Sequence, residues 1–559
     1  MLIAKPLLQP VLRMLLAALP SFAVWSAPAT VPVSSPAGAS AAIAGAALPL
    51  AARERFGDLP NFPLDTPAFA ANKKDYTTEL ELYQFIHRKI APSPQVSWRR
   101  LGRTAGGRDM HLLVLTQDGR SDPLSVATSR KPNVWIIAQQ HGNEPAGAEA
   151  ALEVLRRLVS TDLKQVLERI NVMVVPRANP DGAAVYQRET AAKLDMNRDH
   201  MAHAVHETQK LHAALNDYPP AVVIDAHEFT VAGRWVERYG AIQASDVLVQ
   251  TASHPGVADS FKKLSKDVFE PALTAAWNSY GLKVATYHTL NVQGPNSFVQ
   301  MGGNFAGIGR NALGLMGAVS ILTETRGIGI QKENYPRRVA SHVIGMVSAL
   351  KTAAAQVDAL RNAQREARKQ PAPGTEWVVD HTALREMRLM GMLDSVTGED
   401  KTITVEYQNS SLITPTVQRP LPSAYVLPPS LASAALVAKL QAVGLQVSRL
   451  SSAQELEIES FTVTQLKQEA GEFGAPTERV LTELKRSKKT IEVGSLWIGV
   501  SQGYQPLWRV AAALFEPESV GSLVGTKWLG GEPSVGQVLP IVRVVGTSVV
   551  VAPVFEPLD

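Results

Sequence analysis

The sequence predicts an α/β fold with a mostly parallel, doubly wound sheet. Short apolar runs that are typical of buried strands alternate with segments of helical spacing. Four of these runs lead directly into polar residues, and they span residues 134–138, 171–175, 221–224 and 318–322. Ligands of open α/β sheets bind beyond the carboxyl ends of the strands. We therefore expect the functional residues to converge at that edge of the sheet.

Length and composition narrow the possible functions. A chain of 559 residues is too long for one core and indicates two or three domains. The net charge of +4 is small, and no basic stripe with interleaved aromatic residues is present, which argues against nucleic-acid binding. Because the sequence has no cysteine, disulfides and thiolate metal sites are excluded. Any metal ion must be held by His, Asp or Glu.

Residues 1–29 are typical of a secretory signal peptide. Lys5 and Arg13 give a basic start, an apolar stretch covers 14–25, and small residues follow. An uncleaved amphipathic anchor is the alternative. Residues 30–55 are rich in Ala, Ser and Pro and are expected to be a flexible spacer. We expect export to the periplasm or the extracellular space of a bacterium, without stable membrane insertion after the signal is removed.

Composition divides the rest of the chain. The first folded domain is expected to span 56–369, followed by a Pro- and Gly-containing linker at 370–375. Residues 376–559 contain short β-rich runs and one helical segment at 434–442. No histidine follows His381, so we expect this smaller, mostly β domain to be a packing or binding module.

Two histidines and a glutamate form a candidate metal site. His141 and Glu144 lie three residues apart in a turn after a predicted strand, a pair that suits zinc. Alone, this short motif is weak, and a strand-end histidine bonded to its neighbours is the alternative. His227 follows another predicted strand, and Asp225 on the same side of that strand could fix its position or act only as a strand-end cap. Their convergence at one sheet edge favours a metal site.

Other polar residues near these strand ends have matching chemistry. Glu324 is the candidate general base, which would take a proton from a metal-bound water. A structural pairing with Arg326 is the alternative. Arg188 could stabilise a developing oxyanion. Asn197 and Arg198 offer donors that match a carboxylate.

Glu228 and a group of three histidines lie close in sequence to the candidate site residues. Glu228 is adjacent to His227 but points to the opposite side of its strand, so it is not counted as a ligand. His200, His203 and His206 recur at a spacing of three. On a helix, such residues drift around the surface. We expect them to be mostly exposed, with a secondary metal site as the alternative.

Taken together, the motifs resemble the zinc carboxypeptidase family, the carboxypeptidase A-like metallopeptidases. The resemblance covers roughly residues 70–350 and rests on His141-Gly-Asn-Glu144, Asn179-Pro-Asp-Gly182, Arg188, Asn197-Arg198, Asp225-Ala-His227 and Glu324-Thr-Arg326. It implies an eight-stranded mixed sheet between helices and one zinc ion held by His141, Glu144 and His227. It also implies Glu324 as the base, Arg188 at the oxyanion, and Asn197 with Arg198 at the substrate's C-terminal carboxylate. The C-terminal β-rich region resembles the appended domain of exported bacterial members.

The resemblance implies a metallocarboxypeptidase that hydrolyses the C-terminal peptide bond of peptides with a free C-terminal carboxylate. A zinc amidase or peptidase acting on cell-wall peptides is one alternative. A non-catalytic peptide-binding protein on the same scaffold is another, disfavoured because the full ligand set and Glu324 are present. The family's substrate-binding tyrosine has no clear counterpart at 302–317, and Tyr287 is a poor substitute by spacing. Arg310 or Asn311 would line the specificity pocket, and Arg310 would favour acidic side chains.

Overall fold

The computed structural model describes residues 48–292, 297–369, 371, 374–470, 476–500, 507–519, 521–524, 531–545 and 555–556. The predicted signal peptide lies outside the described residues, as do most of the predicted spacer and part of the predicted linker. All described residues belong to one compact unit.

The described residues contain twenty strands and fourteen α-helices. The strands are β1 (Val96–Arg103), β2 (Asp109–Leu115), β3 (Asn133–Ala138), β4 (Asn171–Val175), β5 (Val222–Thr230), β6 (Ala241–Gln243), β7 (Val247–Thr251), β8 (Val284–Thr286), β9 (His288–Asn291), β10 (Phe298–Met301), β11 (Val319–Ile328), β12 (Glu376–Asp394), β13 (Asp400–Pro420), β14 (Ala424–Leu427), β15 (Ser448–Leu450), β16 (Gln454–Ala470), β17 (Pro476–Ile491), β18 (Leu496–Gly499), β19 (Val538–Val544) and β20 (Phe555–Glu556).

The helices are α1 (Leu50–Arg55), α2 (Glu79–Phe85), α3 (Pro123–Thr128), α4 (Pro145–Ser160), α5 (Pro180–Ala184), α6 (His206–Asp217), α7 (Arg234–Tyr239), α8 (Asp259–Leu264), α9 (Glu270–Ser279), α10 (Gly309–Leu315), α11 (Tyr335–Ala355), α12 (Val357–Ala367), α13 (Ala434–Ala442) and α14 (Trp508–Phe515). Short 3-10 and π-helical turns lie at Pro67–Phe69, Ile86–Ile90, Asp162–Glu168, Met196–Arg198, Ser265–Phe269 and Pro429–Leu431. No single helix in the described ranges is long and apolar enough to cross a membrane, although α11 and α12 together pass that test as a pair bent by 80°.

An eight-stranded mixed sheet forms the centre of the fold, in the order β1-β2-β4-β3-β5-β11-β7-β8. The four pairs β3–β4, β3–β5, β5–β11 and β7–β8 are parallel, and the other three are antiparallel. The central strands are buried along almost their whole length, as their continuous apolar runs require. The predicted mixed α/β sheet is confirmed.

Helices cover both faces of this sheet, as alternate residues of β5 show. A Cβ added to Gly147 of α4 would lie 3.0 Å from the side chain of Ala226. On the opposite face, a Cβ added to Gly309 of α10 would lie 3.1 Å from the Asp225 carboxylate. His227 points to the same face as Asp225, since residues two apart on a strand share a side. The candidate ligand on β5 therefore faces α10, away from α4.

Two strands extend further than predicted. β5 continues to Thr230 and β11 to Ile328, so His227 and Glu324 lie inside strands rather than beyond strand ends. The parallel ladder continues because its hydrogen bonds come from the backbone, and the register pairs Glu324 with His227. Helical spacing at 257–280 also predicts a pair of helices with a break at Pro271, and the structure places the break elsewhere. The irregular turn is at Ser265–Phe269, and Pro271 lies in the first turn of α9, where its missing N–H costs nothing.

The C-terminal region is β-rich, as predicted, and its one predicted helix at 434–442 is α13. The long strands β12 and β13 join a five-stranded sheet in the order β6-β12-β13-β10-β9, which also contains strands from the preceding region. A seven-stranded sheet follows in the order β17-β16-β19-β14-β18-β15-β20. In the predicted β run at 538–554, β19 covers Val538–Val544, and residues 546–554 lie outside the described residues. The boundary at 370–375 stays a prediction.

A buried ion pair links β5 to α11. Both Nε and Nη2 of Arg338 donate to Oε1 of Glu228, at 2.8 and 2.5 Å, and both side chains are buried. We expect Arg338→Leu to lower the free energy of unfolding by about 3–5 kcal/mol, because it leaves a buried carboxylate without its partner. Urea denaturation would measure the loss. Lys263→Met, which breaks an exposed pair with Asp267, is the control and should leave the transition unchanged.

Candidate metal centre

Three buried side chains converge on one small space at the edge of the central sheet. His141 and Glu144 lie in the turn between β3 and α4, and His227 lies on β5. Nδ1 of His141 is 2.8 Å from Oε1 of Glu144, and Nδ1 of His227 is 2.8 Å from Oε2 of Glu144. The two Nδ1 atoms are 3.0 Å apart. The three residues are 3%, 2% and 1% exposed.

The outer nitrogen of each histidine faces a carboxylate. Nε2 of His141 is 3.0 Å from Oδ1 of Asp195, and Nε2 of His227 is 2.9 Å from Oδ1 of Asp225. An ionised carboxylate only accepts hydrogen bonds, so both Nε2 atoms carry the proton. The amide nitrogen of Asn197, 3.2 Å from Nε2 of His227, is then a packing contact rather than a donor. Both inner Nδ1 atoms are left to present lone pairs.

This arrangement fits a divalent metal ion. Two imidazole lone pairs and one carboxylate are directed into the same buried space, and they repel one another unless a cation lies between them. Although burial opposes it, Asp225 and Glu144 raise the pKa of His227 well above its usual value, so this space favours a cation, and a metal ion would take the place of a proton on Nδ1. Two histidines and a glutamate are a set that binds zinc and leaves a fourth position open.

The Asn179-Pro-Asp-Gly182 turn holds the ligand loop in place. Oδ1 of Asn179 accepts from the Gly182 N–H at 2.8 Å, and Nδ2 donates to the carbonyls of Gln140 and Arg188 at 3.2 Å. A Cβ on Gly142 would lie 2.0 Å from the Gly182 carbonyl carbon. The two backbones therefore approach more closely than any side chain at Gly142 would permit. This contact brings Arg188 beside the histidine ligand.

Arg188 lies at the open side of the cluster. Its Nε and Nη2 donate to Oδ2 of Asp195 at 3.0 and 2.8 Å, and Nη1 lies 3.1 Å from Nδ1 of His141 and 3.4 Å from Oε1 of Glu144. Its side chain is 32% exposed, so this wall faces solvent. Sequence analysis missed Asp195, which positions both Arg188 and His141. Its turn-initiating place before Asn197 was the available signal, because Oδ1 also accepts from the Asn197 N–H.

Asn197 and Arg198 differ in how closely they contact the ligand cluster. Asn197 is buried, and its Oδ1 accepts from the Gly309 N–H at 2.7 Å, which fixes it against the start of α10. Arg198 is half-buried, and its Nη1 donates to the Asn197 carbonyl at 2.9 Å. The structure therefore brings Asn197 into contact with the ligand His227 and places Arg198 next to it.

Glu324 lies beside His227 on the neighbouring strand β11, with its side chain on the same face of the sheet. It is only 7% exposed, and burial, with the nearby Glu144, raises its pKa to about 8. Arg326 does not pair with it. The Arg326 guanidinium donates to two backbone carbonyls and lies 3.4 Å from the centre of the Phe56 ring. Glu324 is thus a buried carboxyl that forms no salt bridge with Arg326.

The loop before α10 has a different role for each of its two candidate pocket residues. The side-chain amide of Asn311 donates to the Gly303 and Phe305 carbonyls and accepts from two backbone N–H groups, so it holds the loop together. Arg310 lies behind Gly302, where a Cβ would be 2.8 Å from its Nη2 and 2.6 Å from Cδ1 of Tyr287. Arg310 and Tyr287 therefore form adjoining parts of one wall.

The expectation that His200, His203 and His206 are mostly exposed is wrong for the first two. His200 and His203 are fully buried, and only His206, at the start of α6, is exposed. Asp199 explains the difference, because its carboxylate accepts from the N–H groups of residues 204 and 205 and folds the segment inward. Among groups of three or more His, Asp or Glu residues in the described ranges, only His141, Glu144 and His227 have ligand atoms that all lie within 4.8 Å of one another.

Fold and cluster define an α/β domain with a buried site for one metal ion. Residues 82–245 match the family model described as zinc carboxypeptidase, which agrees with zinc as the ion that suits two histidines and a glutamate. The chain is 28% identical to carboxypeptidase 2 of Trichophyton rubrum over 444 residues, covering 78% of this chain and 81% of the relative.

Two further similarities concern a second fungal relative and a solved structure. Carboxypeptidase 2 of Trichophyton tonsurans is 29% identical over 467 residues, which cover 80% of this chain and 85% of that protein. A metallo-carboxypeptidase structure from Burkholderia cenocepacia superposes with a TM-score of 0.38 at 21% identity, covering 49% of this chain and 68% of that one.

One bound zinc ion per chain is the expected outcome of elemental analysis. His227→Ala should abolish stoichiometric binding, because two protein ligands are too few to hold the ion tightly. Adding zinc to metal-free protein should raise the melting temperature of the wild type through preferential binding to the folded state. His206→Ala, which changes an exposed histidine next to the same segment, should retain full zinc content. Zinc retained in His227→Ala would contradict the assigned ligand set.

Proposed function

We propose that this protein is a zinc-dependent carboxypeptidase that removes the C-terminal residue of peptides. One observation carries the proposal: Glu324 lies in register beside the ligand His227, on the face that also carries Arg188. A hydrolase needs a metal site, a base and an oxyanion donor within reach of one reacting atom. The match of residues 82–245 to the zinc carboxypeptidase family model supports the same reaction.

The protein groups divide the chemistry of hydrolysis. Zinc, when bound, supplies a Lewis acid that acidifies a water molecule and polarises the scissile carbonyl. Glu324 holds and returns the proton, and burial with the nearby Glu144 raises its pKa to about 8, closer to neutral pH than that of an ordinary carboxyl. The Arg188 guanidinium, fixed by Asp195, lies where it can bind the oxygen that becomes negative.

Recognition of the substrate's free carboxylate is assigned to Asn197 and Arg198. The amide of Asn197 is held by the Gly309 N–H, with its Nδ2 near the ligand His227. The guanidinium of Arg198 donates to the backbone carbonyl of Asn197, which holds it close to that residue. A planar guanidinium beside an amide donor matches a carboxylate well. This pair would select exopeptidase over endopeptidase cleavage.

The N-terminal sequence indicates where the protein acts. The basic and apolar start of the sequence supports export, and we propose that the mature protein acts on peptides outside the cytoplasm. The relatives described above are fungal, so a bacterial source stays a prediction.

Replacing Glu324 with Gln should lower kcat by about 10²–10⁴-fold while zinc content stays at one ion per chain, because only proton transfer is removed. The assay is release of the free C-terminal amino acid from a panel of blocked dipeptides, with and without a chelator and with zinc restored. Activity in Glu324→Gln equal to that of the wild type would contradict the assigned base. If zinc is bound but no dipeptide releases an amino acid, the result would favour an amide bond of cell-wall peptides as the substrate.

Arg310 is expected to set a preference for acidic C-terminal residues. Its guanidinium lies buried behind Gly302, beside Tyr287, and a buried cation favours a carboxylate over an apolar group. Arg310→Met keeps the length of the side chain and should lower the kcat/KM ratio of a glutamate to a leucine substrate by about 10-fold or more. An unchanged ratio would show that Arg310 does not contact the substrate's side chain.

A further inference from the structure

A chain of buried side chains leads from the ligand His227 away from the metal site. Oδ1 of Asp225, which is 2.9 Å from Nε2 of His227, accepts a second hydrogen bond from Nε2 of Gln140 at 2.8 Å. Oε1 of Gln140 is 2.9 Å from Nε2 of His200. Nδ1 of His200 is in turn 2.9 Å from Nε2 of His212. Asp225 and the three residues behind it are fully buried.

The donor and acceptor at each step follow from chemistry. The Asp225 carboxylate can only accept, so the Gln140 amide must present its NH₂ to Asp225 and its oxygen to His200. The oxygen can only accept, so Nε2 of His200 carries the proton. Burial lowers the pKa of His200 to about 4 and that of His212 well below its usual value, so both rings are neutral. Nδ1 of His200 therefore accepts from Nε2 of His212, and every N–H points toward Asp225.

Asp225 depends on this chain for its orientation. Its Oδ1 accepts from both His227 and Gln140, whereas its Oδ2 has no hydrogen-bond partner among the described residues. The Gln140 N–H is thus the one side-chain donor in the described structure, besides His227 itself, that holds this buried carboxylate. If the Asp225 carboxylate rotated about its Cβ–Cγ bond, Oδ1 would no longer accept the hydrogen bond from Nε2 of His227. The direction of Nδ1 of His227 would then no longer be fixed.

We propose that Gln140 and His200 are positioning residues of the zinc site, which fix the Asp225 carboxylate and thereby set the zinc affinity of His227. Gln140 precedes the ligand His141 directly, so one short segment supplies a ligand through one residue and orients the opposite ligand through the other. His200 and His212 complete the chain by holding the Gln140 amide in one of its two orientations. The inference rests on the zinc site of the proposed function, although not on the reaction.

The test is zinc affinity, measured on metal-free full-length protein by competition with a chromophoric chelator. Gln140→Met has nearly the length of glutamine but no donor, and His200→Leu removes the next donor. Each should raise the dissociation constant of zinc by about 10- to 100-fold. His200→Gln, which keeps an N–H at the end of the side chain, should restore affinity to within a few-fold of the wild type.

His203→Leu is the matched control. His203 is equally buried and packs against His212 with ring centres 4.4 Å apart, but neither of its ring nitrogens has a hydrogen-bond partner among the described residues. Its replacement should leave zinc affinity unchanged. Circular dichroism would show whether each variant is folded, and excess zinc should restore kcat in Gln140→Met without changing KM.

Wild-type zinc affinity in folded Gln140→Met or His200→Leu would overturn the inference. The inference would also be overturned if His203→Leu weakened zinc binding as much as Gln140→Met and His200→Leu do, because the effect would then come from packing alone. These outcomes are independent of hydrolysis. A wild-type protein that binds zinc but releases no amino acid would contradict the proposed function and leave the positioning roles to be judged by affinity.

Discussion

The architecture of the site depends on three lone pairs that are directed at one buried space. Nδ1 of His141, Nδ1 of His227 and the carboxylate of Glu144 approach one another to about hydrogen-bond distance without a proton that all of them can share. Such convergence costs free energy in the absence of a cation. It is maintained because β3, β5 and the tight contact between Gly142 and Gly182 are all buried and closely packed. Packing of the protein itself therefore holds the three ligand groups close together.

The two histidines are held in unlike surroundings. His141 is backed by Asp195, whose other oxygen accepts from the partly exposed Arg188, so this side of the site is connected to a side chain that faces solvent. His227 is backed by Asp225, whose other contacts lead through Gln140 into the protein interior. The carboxylate behind His141 is thus in contact with a solvent-facing side chain, whereas the carboxylate behind His227 is fully buried.

The identity of the site residues is easier to predict from the sequence than the structure around them. The ligands and Glu324 were identifiable because rare residue types follow apolar runs in a fixed order. Strand ends were placed too early, since backbone pairing continues beneath polar side chains such as His227. His200 was predicted to be exposed because spacing along a chain does not show that Asp199 folds the segment inward. Gln140 was overlooked, as a glutamine gives no signal until its partners are known.

The five-stranded sheet has a consequence for the order of folding events. β6 and β10 pair with β12 and β13, although β10 ends at Met301 and β13 begins only at Asp400. At a synthesis rate of about 5–20 residues per second, the edge of β10 waits roughly 5–20 s for its partner. During that interval the loop that leads to α10 lacks its neighbouring strand. The wall that Arg310 and Tyr287 form is thus completed late in synthesis, after the central sheet can already form.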